Sequence, residues 1–176
     1  VVLPSSWGEY LSSLRKKHRH ELRRKIRRLE ETVKFSSGDI YDPDEINKNL
    51  DEFIYLHKIS SKEKENFMNK NREKFFKELI VNLSNENKII YSYLKIENKT
   101  VSSSISFYLR DTRYLYNSGF DPKYNYLSVG LLNHAFAIKR SISKRLKIFD
   151  FMRGNERYKY ELGAIDKLIY SITISK

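Results

Sequence analysis

The chain has 176 residues, of which 40% are hydrophobic and 14% aromatic, and its formal net charge is +12. This composition supports one core-forming domain and excludes an intrinsically disordered chain. The sequence has no cysteine, which excludes disulfides and thiolate metal sites, and its four histidines show no metal-ligand spacing, so we expect no metal. No apolar run reaches the ~18 residues of a membrane helix and no signal peptide is visible, so we expect no membrane span and a cytoplasmic protein.

The first predicted element is a basic amphipathic helix. A capping box of Ser6 and Glu9 starts it. One stripe recurs at spacings of three and four, formed by Leu11, Leu14, His18, Leu22, Ile26, Leu29 and Val33. Residues 15–28 hold nine Lys or Arg and one Glu, which gives +8 of the net +12. The basic face is either a solvated back or a surface that attracts phosphate from a nucleotide cofactor, a nucleic acid or a membrane, and charge does not choose among these.

Two more helices are predicted before the sheet. After a short extended piece at residues 32–37, Asp42 and Pro43 begin a helix that carries Ile46, Leu50, Phe53, Ile54 and Leu56. A further helix over residues 69–83 carries Phe75, Phe76, Leu79, Ile80 and Leu83. Stripes of this kind indicate core packing.

From Lys88 the period changes to that of strands. Residues 88–97, 99–110 and 112–120 are rich in β-branched and aromatic residues and are separated by short polar breaks, which predicts an antiparallel meander. In the middle strand one face carries Ser102, Ser104, Ser106 and Tyr108. This small face predicts either an exposed polar surface, which the pattern slightly favours, or the wall of a groove.

The remaining elements complete the fold class. A helix over residues 128–143 follows the meander, and then come a strand at 146–151, a short helix or loop, and an alternating strand at 167–175. This order predicts an α/β (α+β) fold, with a mixed, mainly antiparallel central sheet flanked by helices.

Two joints of this fold are candidate sites. At the start of the helix over residues 128–143, Ser128 is a good N-cap and Gly130 lies in the first turn, where unpaired N–H groups attract anions such as a pyrophosphate. The stretch "DFMRGNERYKYELG", residues 150–163, follows the end of a strand. Asp150, Arg153 and Lys159 leave that strand end together, so the stretch is either a dense surface turn or part of a cleft.

Three segments together resemble a known family: residues 7–30, residues 116–132 and residues 149–163 ("FDFMRGNERYKYELG"). They are similar to the GNAT-superfamily acetyltransferase-like domain of proteins associated with cellulose and other polysaccharide biosynthesis. They are more distantly similar to Fem-type aminoacyl-tRNA-dependent transferases. The resemblance implies a single GNAT-like domain over residues 1–176, with a central sheet splayed to admit an acyl donor. We expect this domain to be the C-terminal half of a longer protein with two such domains.

The resemblance also implies a donor site. In such folds the helix N-terminus after the central strands takes the pyrophosphate of acetyl-CoA or another acyl-CoA, which corresponds here to Ser128, Val129, Gly130 and Leu131. The several glycines usual at this position are missing, so two alternatives stay open: an aminoacyl-tRNA donor, with tRNA on the basic helix at 15–28, or a role in substrate binding alone for this half of a two-domain protein. In Fem-type relatives a lysine after an aromatic residue is important for acyl transfer, and Tyr158 and Lys159 match that pattern.

Acyl transfer to an amine predicts roles for the remaining candidates. Tyr158 is suited to give a proton to a leaving thiolate, and Lys159 or Arg153 to stabilise an oxyanion or a phosphate. Asp150 is suited to orient the amine or to hold Lys159. We expect Arg153, together with Gly154 and Tyr116, to contact the substrate.

Three function classes follow. The first is an N-acyltransferase acting on an amine, such as an amino sugar of envelope polysaccharide synthesis. The second is an aminoacyl-tRNA-dependent transferase, and the third is a non-catalytic basic module that binds nucleic acid or an anionic surface. The sequence favours the first and does not predict the oligomeric state.

Overall fold

The computed structural model describes residues 1–174. Within that range it has eight α-helices and five β-strands, and a 3-10 helix at Pro122–Leu127. The helices are α1 (Trp7–Ser13), α2 (Lys16–Thr32), α3 (Pro43–Lys48), α4 (Leu50–Ser60), α5 (Lys62–Phe67), α6 (Lys70–Asn85), α7 (Val129–Ser143) and α8 (Arg157–Glu161). The strands are β1 (Phe35–Ile40), β2 (Ile89–Ile96), β3 (Lys99–Leu109), β4 (Thr112–Phe120) and β5 (Ile148–Asp150). No helix of residues 1–174 is long and apolar enough to cross a membrane.

The strands form one sheet in the order β1-β2-β3-β4-β5. The pairs from β1 to β4 are antiparallel, and β5 is parallel to β4. A parallel neighbour needs a crossover connection, and α7 supplies it. The predicted mixed, mainly antiparallel sheet flanked by helices is therefore confirmed, and so is its central meander.

Helices cover both faces of the sheet. On one face, Leu94 and Leu115 pack in a cluster with residues of α1, α2 and α7. On the other face, Tyr91 and Ile105 pack with residues of α3, α4 and α6. Alternating side chains of the same strands thus build two cores, which is why the meander residues are apolar on both faces.

The serines of this β3 face are neither exposed nor the wall of a groove, so both sequence interpretations are wrong for them, whereas Tyr108 of the same face is exposed and lines a surface cavity. Ser102, Ser104 and Ser106 are fully buried. Ser106 Oγ accepts a hydrogen bond from Nε of the buried Arg113 over 3.1 Å, and towards the other end of the strand Ser102 Oγ donates to the Gly119 carbonyl over 3.2 Å. At Ser106 the short side chain therefore accommodates a buried arginine.

Arg113 belongs to a buried ionic cluster with Asp39 of β1 and Arg140 of α7. The Asp39 carboxylate lies 2.8 Å from Arg113 Nη1 and 2.9 Å from Arg140 Nη2, and it accepts a hydrogen bond from Ser92 Oγ over 2.6 Å. Burial alone raises the pKa of Asp39, but Arg113 and Arg140 outweigh it and lower that pKa to about 2. The cluster links β1, β2 and β4 to α7.

Two of the helices predicted from the sequence are interrupted in the structure. The predicted basic helix is two helices, because Leu14 and Arg15 have extended ψ angles of 145° and 140°. The predicted helix after Pro43 is likewise interrupted at Asn49, and α5 is an additional helix. The predicted caps Ser6 and Asp42 are confirmed, since each accepts a hydrogen bond from the backbone three residues on.

The predicted strand at residues 167–175 is wrong for residues 167–174, which have no helix or strand, and Ser175 lies outside the described residues. The large apolar side chains there stay exposed: Leu168, Ile169, Tyr170, Ile172 and Ile174. Alternation predicts a strand only where a partner edge is free. The outer edge of β5 already pairs with residues 1–3, through Leu3 N to the Lys147 carbonyl (2.8 Å) and Phe149 N to the Val1 carbonyl (2.9 Å).

Gly119 lets α4 approach β4, and we expect Gly119→Ala to destabilise the fold. An added Cβ would lie 2.3 Å from the backbone nitrogen of His57 and 2.4 Å from the carbonyl carbon of Leu56. Overpacking of this kind costs about 1–3 kcal/mol in the free energy of unfolding, measurable by urea denaturation. Gly8→Ala is the control, because its Cβ would meet only Ser6 Oγ at 3.9 Å. Equal stability of the two variants would contradict the close approach.

Candidate active site

The sheet opens between β4 and β5. The two strands pair only over residues 112–114 and 148–150, although β4 continues to Phe120. After β5 the chain turns away at Met152, whose φ is 56° and whose N–H donates to Asp150 Oδ1 over 2.6 Å. The remainder of β4 therefore faces a gap instead of a neighbouring strand, as the resemblance implied.

A β-bulge marks the start of this gap. Ile105 pairs with Asn117 and Ser106 pairs with Leu115, so Tyr116 is the extra residue of β4. Its ring packs on Phe76 at a centroid distance of 5.2 Å and on Phe107 at 4.6 Å. The bulge increases the local twist, which helps β4 to diverge from β5.

The start of α7 is built by a tight turn. Asp121 caps the 3-10 helix by accepting from Lys123 N, and Ser128 then adopts a left-handed conformation with φ 57°. Ser128 makes no side-chain cap of α7, which corrects the predicted N-cap; its Oγ accepts a hydrogen bond from Lys25 Nζ over 2.8 Å. The ammonium of Lys25 therefore lies beside the first-turn amides of α7.

Gly130 has a packing role at this helix start. An added Cβ would lie 3.0 Å from Cδ1 of Phe120. The glycine thus brings the first turn of α7 against the end of β4. Because of this close approach, the backbone amides of Val129, Gly130 and Leu131 lie at the mouth of the gap.

The gap contains two adjoining cavities. The α7 compartment, of about 280 Å³, is lined by residues from α2, β4 and α7, including Lys25, Ser118, Ser128, Gly130, Leu131 and His134. The loop compartment, of about 240 Å³, lies between β4 and residues 151–159 and is lined by residues that include Tyr116, Asn117, Arg153, Glu156 and Lys159. Lys64, Ser118 and Tyr158 line both compartments.

Tyr158 lies at the junction of the two compartments. Its ring stacks on His134 at a centroid distance of 5.3 Å and meets Phe151 edge-on at 5.9 Å. Burial, and then the negative charge of Glu156, raise the pKa of Tyr158 above its ordinary value. The phenol therefore keeps its proton at neutral pH.

Lys159 is a buried lysine that organises residues 153–156. Its Nζ donates to the carbonyl oxygens of Arg153 (2.6 Å) and Gly154 (3.3 Å) and lies 2.8 Å from Glu156 Oε2. Three acceptors therefore use the three donors of its ammonium. Gly154 has a φ of 108°, and a Cβ there would lie 2.3 Å from Glu156 Oε2, so the turn requires glycine.

Asp150 does not join this group. Its carboxylate accepts from Met152 N, and it lines neither compartment. The geometry shows Asp150 as a cap of the turn after β5, whereas we expected from the sequence that it would orient the amine or hold Lys159. Arg153 is exposed at the rim of the loop compartment, and within residues 1–174 no carboxylate lies within ion-pair distance of it.

Two residues that the sequence did not single out lie in the gap. Lys64 of α5 donates to the Ser118 carbonyl over 2.7 Å, and burial lowers the pKa of its ammonium, against the opposing charges of Glu156 and Glu63. Glu156 lines the loop compartment; burial raises its pKa, but the hydrogen bond from Lys159, a backbone hydrogen bond and the charges of Lys159 and Lys64 together lower it. The position of Lys64 depends on the turn between α4 and α5, and no pattern in the amino-acid sequence predicted that turn.

A third, larger cavity lies against the basic helix. This basic groove has a volume of about 830 Å³ and is lined by α2, by Leu131 of α7 and by Arg157 and Glu161 of α8. Its cations include Lys17, Arg23, Arg24, Lys25 and Arg27. Lys25 and Leu131 also line the α7 compartment, so the groove is continuous with the gap.

A mixed sheet that opens between two parallel strands, with a helix N-terminus and a cation at its mouth, defines the acyltransferase class anticipated above. The chain belongs to the acetyltransferase (GNAT) domain family, whose model matches residues 16–160. The predicted GNAT-like fold is thereby confirmed. No curated protein sequence matches the chain.

Solved structures share the fold at low identity. A conserved protein of unknown function from Bacteroides thetaiotaomicron VPI-5482 has a TM-score of 0.58 and 18% identity; the match covers 80% of this chain and 46% of that protein, so the chain spans about half its length. An aminoglycoside acetyltransferase from an uncultured soil metagenomic sample, in complex with trehalose, has a TM-score of 0.52 and 16% identity, with 81% and 97% covered. A predicted acetyltransferase with acetyl-CoA from Clostridium acetobutylicum has a TM-score of 0.57 and 10% identity, with 80% and 96% covered.

Proposed function

We propose that the protein is an N-acetyltransferase that moves an acetyl group from acetyl-CoA to an amine. The observation that carries this proposal is Tyr158, a half-buried phenol at the junction of the two compartments of the gap. The α7 compartment would hold the donor and the loop compartment the acceptor, so the acyl group would be exchanged beside Tyr158. Acetyl-CoA supplies the activated acyl thioester.

The start of α7 fits the pyrophosphate of this donor. The amides of Val129, Gly130 and Leu131 precede the first intrahelical hydrogen bond, which runs from Leu132 N to the Ser128 carbonyl. Lys25 Nζ adds a full positive charge 2.8 Å from Ser128 Oγ. The cations of the basic groove would then meet the phosphorylated ribose of the same donor.

The chemistry assigns a separate task to each remaining group. Tyr158 would give its proton to the leaving thiolate, since its raised pKa keeps the phenol protonated. Lys64, whose Nζ is 2.7 Å from the Ser118 carbonyl, would stabilise the oxyanion. Glu156 would orient the acceptor amine and take its proton directly or through water, while Lys159 positions Glu156 and Asp150 caps the turn.

Binding of acetyl-CoA tests the donor site. We expect acetyl-CoA to raise the Tm of the wild-type protein, and Lys25→Gln to raise the Kd about tenfold, because a charge-assisted contact with phosphate is lost. Isothermal calorimetry measures both proteins. Lys16→Gln is the control, since Lys16 is an exposed lysine of α2 outside the basic groove. No binding by the wild-type protein, or an equal Kd in both variants, would reject this donor site.

The exposed basic residues of α2 favour one alternative donor. Lys16, Arg23 and Arg27 are exposed beyond the mouth of the gap, so an aminoacyl-tRNA donor, as in Fem-type transferases, is the second candidate. It would bind with an affinity that falls steeply with salt. A thermal shift with bulk tRNA and none with acetyl-CoA would favour it, and salt-sensitive tRNA binding without any transferase activity would favour a non-catalytic basic module.

The biological setting is a further part of the proposal. We place the acceptor among amino sugars or similar amines of envelope polysaccharide synthesis and the protein in the cytoplasm. The chain spans 46% of the Bacteroides protein, which supports the proposal that the domain is half of a longer protein with two such domains. Expression of the full-length protein with and without this half, followed by a turnover assay, would test whether this half carries the activity.

A further inference from the structure

We propose that the acceptor carries an anionic group, a carboxylate or a phosphate, in addition to its amine. This inference rests on the proposed function, because it concerns the substrate of the same gap. It separates the protein from acetyltransferases whose acceptors are polycationic, such as the aminoglycosides.

The charges that line the loop compartment carry the inference. Three cations face it, Lys64, Arg153 and Lys159, and Glu156 is its single acidic lining residue among residues 1–174. The carboxylate of Glu156 is engaged by Lys159 at 2.8 Å, so this pair is neutral. Within residues 1–174 neither Lys64 nor Arg153 has a carboxylate within ion-pair distance, and although the charges of Glu156 and Glu63 act on Lys64, Arg153 leaves the compartment with an excess of positive charge.

Arg153 is the group that would meet the anion. Lys64 Nζ is directed to the Ser118 carbonyl and lies between the two compartments, close to the reacting atoms. Arg153 instead stands exposed at the rim, and its backbone is held because its carbonyl accepts a hydrogen bond from Lys159 over 2.6 Å. A guanidinium on a fixed backbone with its fork of donors free matches carboxylate or phosphate oxygens.

The same charges disfavour a polycationic acceptor. Several ammonium groups in one small cavity would be repelled by Lys64 and Arg153, and one paired carboxylate does not compensate them. An acceptor with one amine near Glu156 and one anion near Arg153 satisfies both sides of the cavity. Specificity would therefore depend on attraction at the rim and repulsion of additional cations.

Acetyl transfer to four amines tests the inference: glucosamine, glucosamine 6-phosphate, glucosaminic acid and the polycationic sisomicin. We expect kcat/KM for the phosphate or the carboxylate acceptor to exceed that for glucosamine about tenfold, the effect of one charge-assisted contact, and sisomicin to be the poorest substrate. Arg153→Gln should remove most of the preference for the anionic acceptors over glucosamine, mainly by raising KM for the anionic acceptors. Arg153→Glu should shift the preference toward sisomicin. Lys74→Gln, an exposed lysine on α6, should keep the wild-type ratio.

The outcomes separate the two proposals. Transfer to sisomicin or glucosamine with a kcat/KM equal to or above that of both anionic amines would overturn this inference and leave the acetyltransferase proposal intact. A wild-type ratio in Arg153→Gln would also overturn it. If the protein neither binds acetyl-CoA nor acetylates any of the four amines, the proposed function itself fails and the inference fails with it.

Discussion

Tyr158→Phe is expected to lower kcat roughly 100-fold while leaving the Kd for acetyl-CoA unchanged. The phenol lies at the junction of the two compartments, and general acid catalysis typically contributes about 10²–10⁴-fold. Phenylalanine preserves the ring that stacks on His134. The measurement is steady-state turnover with the best of the four acceptors, together with calorimetric binding of acetyl-CoA.

The control for this variant is Tyr55→Phe, which removes the hydroxyl of an exposed tyrosine on α4. Because burial and Glu156 raise the pKa of Tyr158, ionisation of this phenol should not lower kcat as the pH approaches the ordinary tyrosine pKa near 10; a decline caused by Lys64, whose pKa burial lowers, should persist in Tyr158→Phe. A Tyr158→Phe protein with wild-type kcat would show that Tyr158 takes no part in the chemistry. If the wild-type kcat declines with a midpoint below pH 10 and Tyr158→Phe abolishes this decline, the raised pKa of Tyr158 is contradicted.

Asp39→Asn is expected to reduce the free energy of unfolding by about 3–5 kcal/mol, because it leaves the buried Arg113 and the half-buried Arg140 without their counter-charge. Urea denaturation measures the loss. The double variant Asp39→Asn/Arg113→Met should recover part of it, since the buried cation is removed along with the anion. An Asp39→Asn protein as stable as the wild type would show that the cluster contributes little.

The same carboxylate makes stability depend on pH. Its folded pKa, about 2, is below that of the unfolded chain, so its stabilisation is complete above about pH 4 and is lost as the pH falls toward 2. Unfolding measured from pH 5 to pH 2 should therefore show a steeper loss in the wild type than in Asp39→Asn. Parallel curves would indicate that other carboxylates dominate the acid transition.

Local patterns were sufficient to predict the sheet and α7. Strand alternation, polar breaks and helix caps are set by neighbouring residues, so the meander and the caps Ser6 and Asp42 followed from the sequence. The break at Leu14 was missed because no glycine or proline marks it. The final strand was predicted wrongly because its apolar alternation does not say whether a sheet edge is free.

The candidate site was predictable only in part. The segments containing Ser128 and Tyr158 were identified, but the hydrogen bond between Lys25 and Ser128 joins residues 103 positions apart, which no local pattern encodes. Arg113 and Lys64 were missed for the same reason. Lys159 is buried and donates to the Arg153 carbonyl, which supports our proposal that it positions the loop; the direct part in acyl transfer that the resemblance implied stays a prediction.

The concentration of charge on α2 has a kinetic consequence. Residues 15–28 carry +8 of the net +12, mostly along a helix of about 25 Å, and Lys25 in the middle part of this helix lines the gap. The positive potential of α2 should attract anionic ligands to this side of the protein. Because the Debye length is about 8 Å at physiological ionic strength, the attraction acts only when the ligand is within about 10 Å of the helix. Added salt should therefore slow association with the protein more than it speeds release.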